Sequence, residues 1–355
     1  MGAPATNAKF GRGTPSADVL KTIWERVLQR APIAPGDNFH DLGGTPVLAD
    51  LICSEISRTF SRAVPAVCLS HAPTISQLAL LLQQDPLPTF SPLIQIKRGI
   101  SGPPVFITPG LSGMVEYYAL AKHIHTRNAI FGIQAPGLDG REEPLESVES
   151  MADCYLDALL ERQPDGPYFL IGYSFGGLVA FAMAQKLRAQ GREVALLALL
   201  DAYPHPRFMP PPQRFRVFLK RMRTHAGKMT AMRLASASTY FVRGIKRKLR
   251  LAAPLEIGTH PKREDYSLAA TMPWVNQKAY RAYTDYRPRF YPGPIHFVTA
   301  SIQTFFPGSP ASIWKRLCTD FQVETIPGDH LSIVTSEFRP LAQVLTRFIE
   351  SSDRR

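Results

Sequence analysis

Cysteine is scarce in this 355-residue chain: Cys53, Cys68, Cys154 and Cys318 stand far apart, with no C-x-x-C pair and no metal-ligand spacing. That scarcity argues against a disulfide framework or a metal site, and for reduced thiols in a cytoplasmic protein. The first fifteen residues lack an apolar segment, so no signal peptide is expected. No run of 18 apolar residues occurs, so no membrane-spanning helix is expected either. Acids are also short, with 29 Asp and Glu against 41 Lys and Arg, a net charge of +12. The imbalance is local. Between Tyr203 and Asp265, 15 Lys and Arg face only Glu256, Glu264 and Asp265, an excess equal to that of the whole chain. Charge confined to one segment argues against general nucleic-acid binding and for one basic surface with a specific partner.

What is present suffices for a core, since 45% of the residues are hydrophobic. The length suits one large domain and one small one. Residues 16–83 form the small unit. Ser16 can cap a helix whose Leu20, Ile23, Trp24 and Val27 follow a 3.6-residue period. A loop, Asn38 to Pro46, leads into a second helix from Val47 to Phe60, and a third spans Thr74 to Gln83. Residues 84–103 are crowded with proline and read as a linker.

From Val105 onward strands alternate with helices. Strand-like runs are Val105–Thr108, Ile130–Gln134, Tyr168–Ile171, Val194–Leu200, Ile295–Ala300 and Gln322–Ile326. Helical runs include Tyr117–His125, Ser147–Arg162, Gly177–Gln190 and Leu331–Glu350. The alternation predicts an α/β fold with a mostly parallel sheet and helices on both faces. It stops between Tyr203 and Tyr266, where Phe215, Phe218, Leu219 and Met222 fall at i, i+3, i+4 and i+7, as on an amphipathic helix.

The most informative stretch is Tyr168 to Gly177, an apolar run ending in Gly172-Tyr173-Ser174-Phe175-Gly176 and followed at once by a helix. That is the context of a nucleophile elbow, with Ser174 at the tip of a sharp turn. A serine hydroxyl needs a base, itself oriented by an acid. Of the five later histidines, His205, His225 and His260 lie in or beside the basic insert and His296 lies inside a strand. His330 follows the last strand, in Gly328-Asp329-His330, and is the expected base. Asp201 and Asp285 are the leading acids, ahead of Asp265, Asp320 and Asp329. Asp201 ends the strand directly after the nucleophile helix and so emerges beside Ser174, whereas the following strand ends at Thr299 to Gln303 without a carboxylate. Two backbone N–H groups should hold the oxyanion, that of Phe175 and one from the Pro109–Gly113 loop, Leu111 being the expected donor.

Taken together, Pro104 to Gly113, Phe131 to Gly140, Gly172 to Gly177, Leu199-Leu200-Asp201 and Gly328-Asp329-His330 resemble the thioesterase domains of nonribosomal peptide and polyketide synthases. The resemblance implies an α/β-hydrolase over residues 104–351, with a helical lid at about 203–266. It implies serine thioesterase chemistry: an acyl or peptidyl group passes from a carrier thioester to Ser174 and leaves by hydrolysis or cyclisation, as in antibiotic and other secondary-metabolite biosynthesis. The front resembles the peptidyl or acyl carrier domain that precedes such enzymes, and Asp41-Leu42-Gly43-Gly44 matches its loop. The position of the phosphopantetheine-bearing serine is Pro46, which has no hydroxyl, while Thr45 is out of register. Pro46 with Thr45 as N-cap suits a helix start. The expected reading is a carrier-like domain that cannot be loaded, no cofactor on the chain, and substrate presented on the phosphopantetheine of another protein's carrier domain. The basic lid would then steer an acidic carrier or coenzyme A. A general esterase or lipase, and a docking protein with a vestigial hydrolase, are the rival readings.

Overall fold

The computed structural model describes residues 16–111, 113–219, 222, 266–303, 306 and 308–353. It divides into two compact units. The first holds residues 16–91, 136–144 and 266–275 of the described chain. Four helices build most of it: α1 (Ala17–Leu28), α2 (Pro46–Phe60), α3 (Cys68–His71) and α4 (Ile75–Leu81). Ser16, Thr45 and Thr74 cap α1, α2 and α4, each side chain accepting from a backbone N–H three residues on. Their apolar faces enclose Leu20, Trp24, Phe39, Ile52, Ile56 and Leu78.

The second unit is a seven-stranded sheet in the order β1-β3-β2-β4-β5-β6-β7. The strands are β1 (Leu93–Lys97), β2 (Val105–Thr108), β3 (Ile130–Ile133), β4 (Tyr168–Tyr173), β5 (Val194–Leu200), β6 (Tyr291–Ile302) and β7 (Cys318–Asp329). Among the described strands, only β1 runs antiparallel. It falls in the stretch read as a linker, where dense proline hides a five-residue edge strand with one buried residue, Ile94. Side chains of β4 alternate between two cores. Tyr168 and Leu170 pack on the side of α6 (Val148–Arg162) and α7 (Phe175–Ala189), while Phe169, Ile171 and Tyr173 pack on the other side with α5 (Val115–His123). Burial on both faces explains why the strand reads as a continuous apolar run.

The expected amphipathic helix of the insert begins as α8 (211–219), but its orientation is the reverse of the one its apolar spacing suggests. Phe215, Phe218, Leu219 and Met222 are exposed, whereas Gln213 and Val217 are buried. Gln213 donates to the Ser312 hydroxyl and Val217 joins the α7-side core, so those two contacts fix the face. The rest of the insert, with most of its basic residues, lies outside the described residues. The chain returns through α9 (Leu268–Asp285) and ends with α10 (Phe338–Asp353). The last helical run is split, because a short turn at Ser332–Thr335 precedes α10. Among the described residues, no helix is long and apolar enough to cross a membrane.

Candidate active site

Parallel register brings three strand ends to one edge. Tyr173 pairs with Leu200, Leu200 with Val298, and Ile302 with Asp329, so the residues that follow β4, β5 and β7 emerge together. Ser174 sits between β4 and α7 with φ 53° and ψ −121°, a backbone state that non-glycine residues rarely adopt. Close packing holds it there. A Cβ on Gly176 would lie 2.1 Å from the Pro109 carbonyl oxygen, and one on Gly172 would lie 2.5 Å from the Gly177 Cα. Glycine is therefore required on both sides of the serine. The same contact draws the Pro109–Leu111 loop over the elbow. Gly110 approaches Ser174, and its N–H is accepted by the Tyr117 hydroxyl at 3.3 Å.

The structure places His330 directly after β7, with Nε2 2.9 Å from the Ser174 hydroxyl and Nδ1 2.6 Å from Oδ2 of Asp201. A carboxylate only accepts, so Nδ1–H donates to Asp201 and Nε2 keeps a lone pair facing the serine O–H. Asp201 and His330 are both buried. The other Asp201 oxygen accepts from the Thr299 hydroxyl at 3.3 Å and the Ala300 N–H at 3.5 Å, and Thr299 in turn meets the Tyr203 hydroxyl. Asp201 itself has a positive φ of 45°, and its N–H donates to the Val298 carbonyl.

Asp329 clips the loop that presents the histidine. One carboxylate oxygen accepts from the N–H groups of Leu331 and Ser332, bonds that hold its pKa below the usual carboxylate range. The competing acids are placed elsewhere. Asp285 pairs with Arg207, Asp320 accepts from Gln322, and Asp265 lies outside the described residues. Among the rival histidines, the His296 ring lies tilted against Phe348, His205 meets Tyr283 edge to face, and His225 and His260 lie outside the described residues.

Tyr173, Thr299 and Tyr203 are contributors that the motif left anonymous. Tyr173 stacks on the His330 ring, with centroids 5.0 Å apart and planes 24° from parallel, and its hydroxyl donates to the His330 carbonyl. Burial, reinforced by the Asp201 charge, pushes its phenol pKa well up and keeps it a neutral donor. Its place in the elbow, one residue before the serine, is the sequence signal that could have marked it. Among the described residues no cluster of potential ligands could hold a metal ion.

The fold and this edge define an α/β-hydrolase. The thioesterase-domain family model matches residues 103–351, and the chain belongs to that family; a model described as a phosphopantetheine attachment site matches residues 18–82. A nonribosomal peptide synthetase of Salinispora arenicola is 35% identical over 206 residues, which cover 57% of this chain and 3% of that protein. A dimodular nonribosomal peptide synthase of Bacillus subtilis is 36% identical over 207 residues, covering 57% and 9%. The chain thus spans less than a tenth of the length of these relatives. Among solved structures, a four-domain nonribosomal peptide synthetase superposes with a TM-score of 0.55 at 22% identity, over 97% of this chain and 27% of that one. A type II thioesterase from the borrelidin cluster gives 0.50 at 19% identity, over 74% and 98%.

A thioesterase domain needs no cofactor, but the N-terminal match implies a phosphopantetheine group on the chain itself. The residues at the position where the sequence reading expects attachment do not fit it. Pro46 is the first residue of α2 and has no hydroxyl, while the Thr45 hydroxyl accepts from the Leu48 N–H at 3.3 Å as the helix cap. The loop is otherwise kept, since Gly44 lies against the buried Phe39 ring where a Cβ would clash.

Proposed function

We propose that this chain is a serine thioesterase that takes an acyl or peptidyl group from a carrier-bound thioester onto Ser174 and releases it to water or to a nucleophile within the acyl chain. The observation that carries this reading is the continuous relay from Ser174 through His330 to Asp201, at 2.9 and 2.6 Å. His330 Nε2 takes the serine proton as Oγ attacks the thioester carbonyl. The Asp201 carboxylate steadies the imidazolium, and the N–H groups of Phe175 and Leu111 receive the developing oxyanion. Collapse expels the carrier thiol with the proton from Nε2. A water or substrate hydroxyl or amine then repeats the sequence on the acyl-serine ester, and Nε2 returns a proton to Ser174.

Because Pro46 offers no hydroxyl, the thioester arrives in trans on another protein's carrier domain, in secondary-metabolite synthesis. The four widely scattered cysteines fit a reducing, cytoplasmic setting. Incubation with a panel of acyl-pantetheine thioesters, followed by intact-mass spectrometry, tests the reading. It requires an acyl adduct that Ser174→Ala abolishes; product formation without dependence on Ser174 would end it.

A further inference from the structure

Helix α5 buries Tyr117, Leu120 and Ala121, spaced i, i+3 and i+4, in the core of the sheet unit. Tyrosine differs from phenylalanine by one hydroxyl, and a hydroxyl taken out of water destabilises the fold unless it finds a partner. For Tyr117 that partner is the Gly110 N–H, which donates to its oxygen at 3.3 Å. The N–H needs the contact as much as the hydroxyl does. Strand β2 ends at Thr108, paired with Gly172, so Gly110 lies beyond the hydrogen bonds of the sheet. Burial pushes the Tyr117 phenol well above its ordinary pKa, so the group stays neutral.

The backbone held in this way lies over the nucleophile. A Cβ on Gly110 would stand 3.5 Å from the Ser174 Cβ and 3.0 Å from the Tyr173 ring. One residue earlier, the Pro109 carbonyl lies against Gly176 at the start of α7. Two attachments therefore fix the course of the loop, one through its backbone at Pro109 and one through Tyr117 at Gly110. The Tyr117 ring packs edge to face on Tyr173, with centroids 6.4 Å apart and planes at 63°, and Tyr173 in turn stacks on His330. Each tyrosine thus grips one side of the catalytic edge. The Gly110 N–H is committed to Tyr117 and is not free to meet a substrate oxygen. We propose that Tyr117 is a positioning residue whose hydroxyl, by holding Gly110, fixes the Pro109–Leu111 loop so that the next N–H, that of Leu111, meets the oxyanion. The proposal rests on the acyl-transfer reading, since Leu111 is an oxyanion donor there.

The test uses the full chain with Tyr117→Phe, which keeps the ring and removes the hydroxyl, and two pantetheine ligands. The first is a trifluoromethyl ketone: Ser174 Oγ adds to its carbonyl carbon, the serine proton passes to His330 Nε2, and the carbonyl oxygen becomes the oxyanion. The second is an acyl amide, with nitrogen in place of the thioester sulfur, which binds without forming a bond. Tyr117→Phe should weaken the ketone about ten- to a hundredfold, less than outright loss of an oxyanion donor costs, and leave the amide within about a factor of two. The value of kcat for an acyl-pantetheine thioester should fall by the same factor as the ketone affinity. Exchange of the Gly110 amide should speed about tenfold, as one hydrogen bond is lost. Ketone affinity that is unchanged, or lost in step with that of the amide, would overturn the proposal, as would Gly110 exchange that the substitution leaves alone. If Tyr117→Phe does not fold, the parent chain decides: a protected Gly110 amide supports the hold, and one exchanging as in an unstructured peptide overturns it. Failure of the parent chain to label with a fluorophosphonate would overturn the reading of Ser174 and the oxyanion role with it, while Gly110 exchange would still decide whether Tyr117 holds the loop.

Discussion

Replacing Asp201 by asparagine preserves volume and changes one atom, and the surroundings dictate how the amide must turn. The Oδ1 side faces the Ala300 N–H, which can only donate, and the Thr299 hydroxyl. The asparagine carbonyl therefore keeps that side, and its NH2 is sent toward His330 Nδ1, 2.6 Å from the present oxygen. Facing a donor, Nδ1 must accept, so the ring proton moves to Nε2 and points at Ser174, where a lone pair is needed. The wrong-tautomer substitution in serine proteases costs about 10⁴-fold in kcat, equivalent to about 5.5 kcal/mol of barrier. A loss of that order is expected here in single-turnover acylation, with circular dichroism showing the fold intact. If Asp201 served only to terminate β5, its backbone bond to Val298 would survive the substitution and activity would drop less than tenfold. An Asp201→Asn chain that acylates within tenfold of the parent would refute the relay.

Other outcomes follow from the same contacts. Tyr173→Phe keeps the stack on His330 but removes the O–H donated to its carbonyl; a net loss of about 1–2 kcal/mol should lower acylation roughly five- to thirtyfold, read from labelling rates. His71 is stacked on Phe90, and burial lowers its pKa to about 4. The unfolded chain therefore binds the proton first, so stability is full above pH 6.5 and falls by up to about 3 kcal/mol as pH drops to 4. Thermal melts of the parent should show that slope, and His71→Asn should flatten it. Pro46→Ser should accept phosphopantetheine from coenzyme A with a broad-specificity transferase, while the parent chain should remain unmodified by mass.

Much of the fold was legible because the sheet is buried on both faces. The apolar runs at Tyr168–Tyr173 and Val194–Leu200 and the capped helices at Ser16, Thr45 and Thr74 are dictated by local chemistry. The geometry at the candidate site was legible for a different reason: parallel strands deliver their following residues to one edge, so position at a strand end selected Asp201 and His330 from several candidates as partners for Ser174. Tertiary contacts made the rest unreadable. β1 exists because the free edge of β3 pairs with it, despite the surrounding prolines. The apolar side of α8 faces outward because Gln213 and Val217 make the fixing contacts. Asp50 carries no sequence signal linking it to Leu268, since a cap between residues 218 apart is visible only in three dimensions. Tyr173 and Thr299 act through the groups they touch, and neither residue type announces that on its own.

In the proposed reaction Ser174, and no residue of the carrier-like domain, receives the acyl group. Its most direct measurement is peptide-level mass spectrometry of the chain quenched during turnover of an acyl-pantetheine thioester. The expected result is an acyl ester confined to the peptide bearing Ser174 and absent from the Ser174→Ala chain. An acyl or phosphopantetheine adduct on the peptide spanning Gly43 to Val47, or turnover that survives Ser174→Ala, would contradict it.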